Sequence, residues 1–144
     1  MPAGFGLHPY LRCEDGAVLD MDCTQRIDLD DALLFAGLLP LTSSDNFSQG
    51  CRLTGAWDAV FGGWQGSARL KHDAWALEIT ADPIFGNLIL YRSAQGAFVC
   101  LEPVSHVPDA INHPDLPQAL GMRVLQSGET IAGAVTITPT LWLN

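Results

Sequence analysis

Runs of alternating apolar and polar residues, cut short by glycine and proline, dominate this chain. The clearest is Ala74-Trp75-Ala76-Leu77-Glu78-Ile79-Thr80, with Trp75, Leu77 and Ile79 on one face and Ala76, Glu78 and Thr80 on the other. A period of two marks a half-buried strand, because successive side chains of an extended backbone point to opposite sides. Ser67 to Lys71 alternates just before it, and the intervening His72-Asp73 predicts a tight hairpin. Asn87 to Tyr91 and Ala97 to Leu101 read as apolar strands joined by Ser93-Ala94-Gln95-Gly96. Ala17 to Cys23 sets Val18, Asp20 and Asp22 against Leu19, Met21 and Cys23. Ile131 to Thr138 closes the series after a turn at Gln126-Ser127-Gly128-Glu129. Fourteen glycines and nine prolines supply the turns. The one helical signal is Asp30-Asp31 ahead of Ala32-Leu33-Leu34-Phe35, a cap for a turn or two that Gly37 and Pro40 would stop. The expectation is an all-β fold, either a sandwich or an open many-stranded sheet, and an immunoglobulin-like sandwich satisfies the strand count equally well.

The chain has 144 residues, of which 48% are apolar, enough for one domain over 1–144 with a sizeable core. Only 16% are charged, which argues against disorder or a coiled coil. Sixteen acids against seven bases give a net charge of −9. A phosphate backbone and an anionic bilayer would both be repelled, so neither nucleic acid nor membrane is expected as a partner. The most apolar stretch, Ala32 to Leu41, contains Gly37 and Pro40 and is half the length of about 20 residues that a span needs. Residues 1–6 lack the basic residue and apolar run of a signal peptide, and a cytoplasmic location is expected. Cys13, Cys23, Cys51 and Cys100 form no CxxC pair, so they read as reduced, mostly buried thiols with no metal. No phosphate loop, GxSxG elbow or HExxH occurs, and no cofactor is expected.

Three segments carry chemistry that a plain core does not need. In Gly6-Leu7-His8-Pro9-Tyr10, Pro9 forces an extended backbone on His8, and Tyr10 offers an aromatic wall. Imidazole titrates near neutral pH, which suits His8 to general acid work, against a bland reading as a half-buried loop histidine. In Trp57-Asp58-Ala59-Val60-Phe61-Gly62-Gly63-Trp64, one carboxylate sits among three aromatics. Sugar rings are held that way, with Trp64 as a packing wall and Asp58 accepting from hydroxyls; the alternative is a turn aspartate with core aromatics. In Leu101-Glu102-Pro103-Val104-Ser105-His106, Glu102 follows an apolar strand that Pro103 is expected to end. Burial there raises a carboxyl's pKa and suits it to proton transfer; the alternative is an exposed strand-end glutamate. His72 and His113 look bland, and Asp28, Asp30 and Asp31 read as a solvated edge or a cap.

These segments, in this order, resemble the aldose 1-epimerase (galactose mutarotase) family. Gly4-Phe5-Gly6-Leu7-His8-Pro9-Tyr10 is similar to its histidine motif, with Leu11 in place of a phenylalanine. Trp57 to Trp64 resembles its D-x-x-F-x-G-W segment, and Cys100-Leu101-Glu102-Pro103-Val104-Ser105-His106 with Asp109-Ala110-Ile111-Asn112 resembles its glutamate signature. Gly121-Met122-Arg123-Val124-Leu125 with Gly128-Glu129-Thr130 is similar to its closing stretch. The resemblance implies a large twisted antiparallel β-sandwich, here its C-terminal portion. It implies interconversion of the α and β anomers of an aldose without a cofactor. It implies Glu102 as the base on the anomeric hydroxyl, His8 as the acid on the ring oxygen and Asp58 as a binder of sugar hydroxyls.

Family chains extend upstream of the histidine motif, with a second histidine and an arginine that nothing here matches. The expectation is a homo-oligomer, or a missing N-terminal segment, and weak activity of the chain alone. Two rivals remain open at this stage. One is a glycoside hydrolase using Glu102 and Asp58. The other is a non-catalytic carbohydrate-binding β-domain. A sugar phosphate is a further substrate option, with Arg12, Arg69 or Arg92 to clamp it.

Overall fold

The computed structural model describes residues 1–116 and 120–142. Two antiparallel sheets face one another. The larger has the order β2 (Tyr10–Arg12), β11 (Phe98–Val104), β10 (Asn87–Arg92), β7 (Trp57–Gly62), β4 (Gln25–Leu29) and β5 (Phe35–Pro40). The smaller has the order β13 (Val135–Leu141), β9 (Trp75–Ala81), β8 (Ser67–Lys71), β3 (Val18–Met21) and β6 (Cys51–Arg52). A short ribbon pairs β1 (Pro2–Ala3) with β12 (Arg123–Val124). Among the described residues no helix is long and apolar enough to cross a membrane.

Alternation decides which side chains enter the core. Leu88, Leu90, Val99 and Leu101 of the larger sheet meet Leu19, Leu70 and Ile79 of the smaller, each at most 1% exposed. Burying a side chain of this size stabilises by about 1.5–3 kcal/mol. The hairpin at His72 forms as expected, closed by His72 N–H donating to Trp75 O at 2.8 Å. The turn at 93–96 joins β10 and β11. All four cysteines are free thiols, and Cys13, Cys23 and Cys100 are buried.

Three expectations need correction. Ala32–Phe35 is not helical: it ends the loop of a β4–β5 hairpin. Asp30 does cap, accepting from Ala32 N–H and Leu34 N–H at 2.9 Å each, but it anchors a turn in which Leu33 takes φ 60°. Strand β4 then supplies the ladder partners that hold Phe35–Pro40 extended, Gly37 included. The last strand starts at Val135 rather than Ile131, because Asp82 diverts the chain: its N–H donates to Ala134 O and its carboxylate accepts from Ala134 N–H. Pro103 does not end β11, which runs on to Val104 with Pro103 opposite Leu88.

The outer face of the larger sheet is only partly covered. The loop after β11 lays Val107, Ala110 and Leu120 on Ile27 and Val60 as a second, smaller core. Asp109 clips that loop down, accepting from Phe35 N–H at the start of β5 and pairing with His113 Nε2 at 3.1 Å. Hydrogen bonds, from Asn112 first, hold its carboxyl below the usual range. The uncovered remainder of this face carries the site.

Candidate active site

Residues 5–7 run antiparallel along the end of β11. Ser105 N–H donates to Phe5 O at 2.9 Å, Phe5 N–H to the Ser105 hydroxyl at 2.9 Å, and Leu7 N–H to Pro103 O at 3.0 Å. Gly6 bridges Val104 and Tyr10 pairs with Cys100. The register between those pairs puts His8 directly across from Glu102. A Cβ at Gly6 would meet the Val104 side chain, so the approach depends on glycine there. His8 and Glu102 occupy a non-hydrogen-bonded position, where opposed side chains lie closest. Pro103 fits because its missing donor faces residues 5–7, leaving the ladder to β10 intact.

His8 Nε2 lies 3.3 Å from Glu102 Oε1, the imidazole side chain 53% exposed and the carboxylate 10%. The imidazole stacks on Tyr10, ring centroids 4.9 Å apart and planes at 10°, and Tyr10 leans on Phe98 at 5.0 Å. Burial pushes the Glu102 carboxyl above its ordinary range; His8 opposes the shift and the Asp58 charge adds to it.

Asp58 on β7 is opposite Tyr91, and Tyr91 is opposite Cys100. Asp58, Tyr91, Cys100 and Tyr10 thus form one rank across four strands. Glu102, Ile89, Val60 and Ile27 form the next rank on the same face. The fold therefore brings His8, Asp58 and Glu102 onto one surface, with Tyr10 and Tyr91 as aromatic flanks, 67% and 37% exposed. A hollow of about 180 Å³ lies beside Asp58, bounded by Ile27, Leu29 and Leu33. A cleft of about 550 Å³ sits further along the face at Gln25, Asn87 and Arg123 and does not include Glu102.

Trp64 is not part of this surface. It is 4% exposed, packs in the core between the sheets, and its indole N–H donates to Ser67 O at 2.9 Å. Trp57 and Phe61 also pack on that core. The segment's aromatics are thus structural, as their alternation with Asp58 requires for Trp57. The exposed rings come instead from Tyr10, which the sequence indicated, and Tyr91, which it did not. Among the arginines, Arg92 is buried at 3% and held by Gly55 O and Asp15, so it cannot clamp a ligand on this face. Cys100, read as a reduced, buried thiol, is buried and lies in the rank of Asp58 and Tyr91.

The pair can exchange a proton across its contact, and it can serve two oxygens bonded to one carbon. Direct contact fits a hemiacetal, since its ring oxygen and hydroxyl share the anomeric carbon.

No family model matches the chain, and no curated protein matches it. Solved structures do. An Escherichia coli K12 protein provisionally named aldose 1-epimerase superposes with a TM-score of 0.86 at 22% identity, over 99% of this chain and 52% of its own. A galactose mutarotase-like protein from Clostridium acetobutylicum gives 0.86 at 13% identity, over 99% and 48%. An aldose epimerase homologue from C. elegans gives 0.71 at 15% identity, over 97% and 52%. The chain spans about half the length of these structures. At such identities the likeness is one of architecture: the chain has the galactose mutarotase-like fold over about half of that fold's extent.

Proposed function

We propose that this chain takes part in aldose 1-epimerase chemistry, interconverting the α and β anomers of an aldose as a cytoplasmic sugar isomerase. The observation that carries the reading is the 3.3 Å approach of His8 Nε2 to Glu102 Oε1. Ionised Glu102 takes the proton of the anomeric hydroxyl while protonated His8 gives one to the ring oxygen. The bond from the anomeric carbon to the ring oxygen breaks and an aldehyde forms. Rotation about the adjacent carbon–carbon bond, then the same steps reversed, closes the ring on the other face. The reversed steps give the Glu102 proton to the carbonyl oxygen and return the ring-hydroxyl proton to His8, so the pair is reset without a transfer between the two side chains. Asp58 accepts from sugar hydroxyls, and Tyr10 and Tyr91 pack on the ring's C–H face. Each positioned acid or base contributes roughly 10²–10⁴-fold.

Saturation-transfer exchange between glucose or galactose anomers tests this directly. Glu102→Gln is expected to lose exchange by at least ~10²-fold while still binding sugar. Equal exchange in both proteins rejects Glu102 as the base. Coverage of half the neighbours' length favours a second reading, a carbohydrate-binding β-domain without catalysis. Sugar binding with no exchange in the wild type selects it.

The same coverage supports a proposal about assembly. Leu38 and Leu39 on edge strand β5 are 40% and 46% exposed, and Leu141 on edge strand β13 is 71% exposed. We infer completion of these edges by a second copy of the chain or by an N-terminal segment.

A further inference from the structure

We infer that His8, Cys100 and Glu102 together form a binding site for a borderline-soft divalent cation, Zn²⁺ in the first place, whose occupancy disables the acid–base pair. An imidazole nitrogen, a thiol sulfur and a carboxylate oxygen lie there within 4.8 Å of one another. Geometry puts them together for a simple reason. Cys100 and Glu102 are two apart on one face of β11, and His8 faces Glu102 from the adjacent segment, diagonal to Cys100. Tetrahedral Zn²⁺ bonds of roughly 2.0–2.3 Å need ligand atoms ~3.3–3.8 Å apart. The His8–Glu102 contact of 3.3 Å already meets that spacing, and the remaining pairs lie within 4.8 Å, a contraction of about 1 Å away from it.

The donor set selects the ion. A thiolate, an imidazole and one carboxylate suit Zn²⁺ and disfavour Mg²⁺ and Ca²⁺, which want oxygen ligands. Charge balances as well. On binding, the Cys100 S–H bond breaks, its proton leaves to solvent and a sulfur–zinc bond forms. Thiolate and Glu102 carboxylate then neutralise the dication, so the buried site carries no net charge. Without a cation, burial holds the thiol up at about 11, and Cys100 stays protonated. The fourth coordination position opens on the exposed side of His8, for water or a sugar hydroxyl.

Cation binding stands on the geometry alone; the shut-off rests on the function proposed above. Titration of the purified chain with Co²⁺ is expected to give a one-to-one adduct with thiolate-to-cobalt charge-transfer absorption. Cys100→Ala and Cys100→Ser should abolish that band and weaken Zn²⁺ binding by about 100-fold, the upper end of what losing even an outer-shell partner costs. His8→Ala, at an exposed position, should weaken Zn²⁺ similarly without touching the core. Absence of the band in the wild type, or unchanged Zn²⁺ binding by both cysteine variants, overturns the site. In anomer exchange, Zn²⁺ should stop the wild type, a chelator should restore it, and Cys100→Ala should keep its rate at the same Zn²⁺. A cobalt band with no exchange in any metal-free protein upholds the site and rejects only the shut-off and the isomerase reading.

Discussion

Glu102 is the residue at which burial bears on the proposed chemistry. Its folded pKa is raised by desolvation, so the native state holds its proton more tightly than the unfolded chain does. That contribution to stability is complete below the ordinary glutamate pKa and is lost as pH rises through the raised value. Glutamine mimics the protonated form. Glu102→Gln should therefore melt above the wild type at pH 8, with the gap closing toward pH 4 in thermal scans. A pH-independent gap would mean that the carboxylate is not desolvated. His72 works in the opposite sense. Burial lowers its pKa, so its contribution falls away as pH drops from the ordinary histidine range. Comparing Glu102→Gln with the wild type cancels this background. The sequence singled out Glu102 and His8 as candidates beside Pro103 and Pro9, and the fold brings the two side chains together. It misplaced Trp64 because an aromatic beside a carboxylate reads the same whether the ring faces sugar or core.

Strands were legible where apolar and polar residues alternate cleanly. Trp75–Ala81 and Val18–Met21 alternate cleanly, and both are strands. Strand β7 was not legible, since Ala59 through Gly62 are all buried and the period vanishes when both faces are covered. Phe35–Pro40 failed differently: its Asp30 cap is the same local hydrogen-bond device in a helix and in a turn, and only pairing with β4 decides between them. Tight turns also fix how elements meet the site loop. Gly121 holds φ 78°, and a Cβ there would collide with Ser105 O. Gly121→Ala should cost about 1–3 kcal/mol in urea melts and displace the segment leading into β12. A neutral result would show that the loop relaxes freely.

At the scale of the molecule, edge strands β5 and β13 are where the proposed association would act. Leu38→Lys with Leu39→Glu on β5 should shift light-scattering mass toward a single chain if copies pair along that edge. A wild type that is already a clean monomer with a cooperative melt would reject self-association. What the sequence could not disclose was register: nothing local announces that residue 8 lies across from residue 102. The seam that unites them bridges a chain separation of 100 residues at Phe5 and Ser105, and between Gly6 and Tyr10 it is tied to β11 by the Leu7 amide. Contacts so distant along the chain carry the largest closure entropy and form late. Competence should consequently arrive last during renaturation: tryptophan fluorescence will settle first, and anomer exchange will return only after the N-terminal ribbon has docked, making turnover itself a clock for the final stage of assembly.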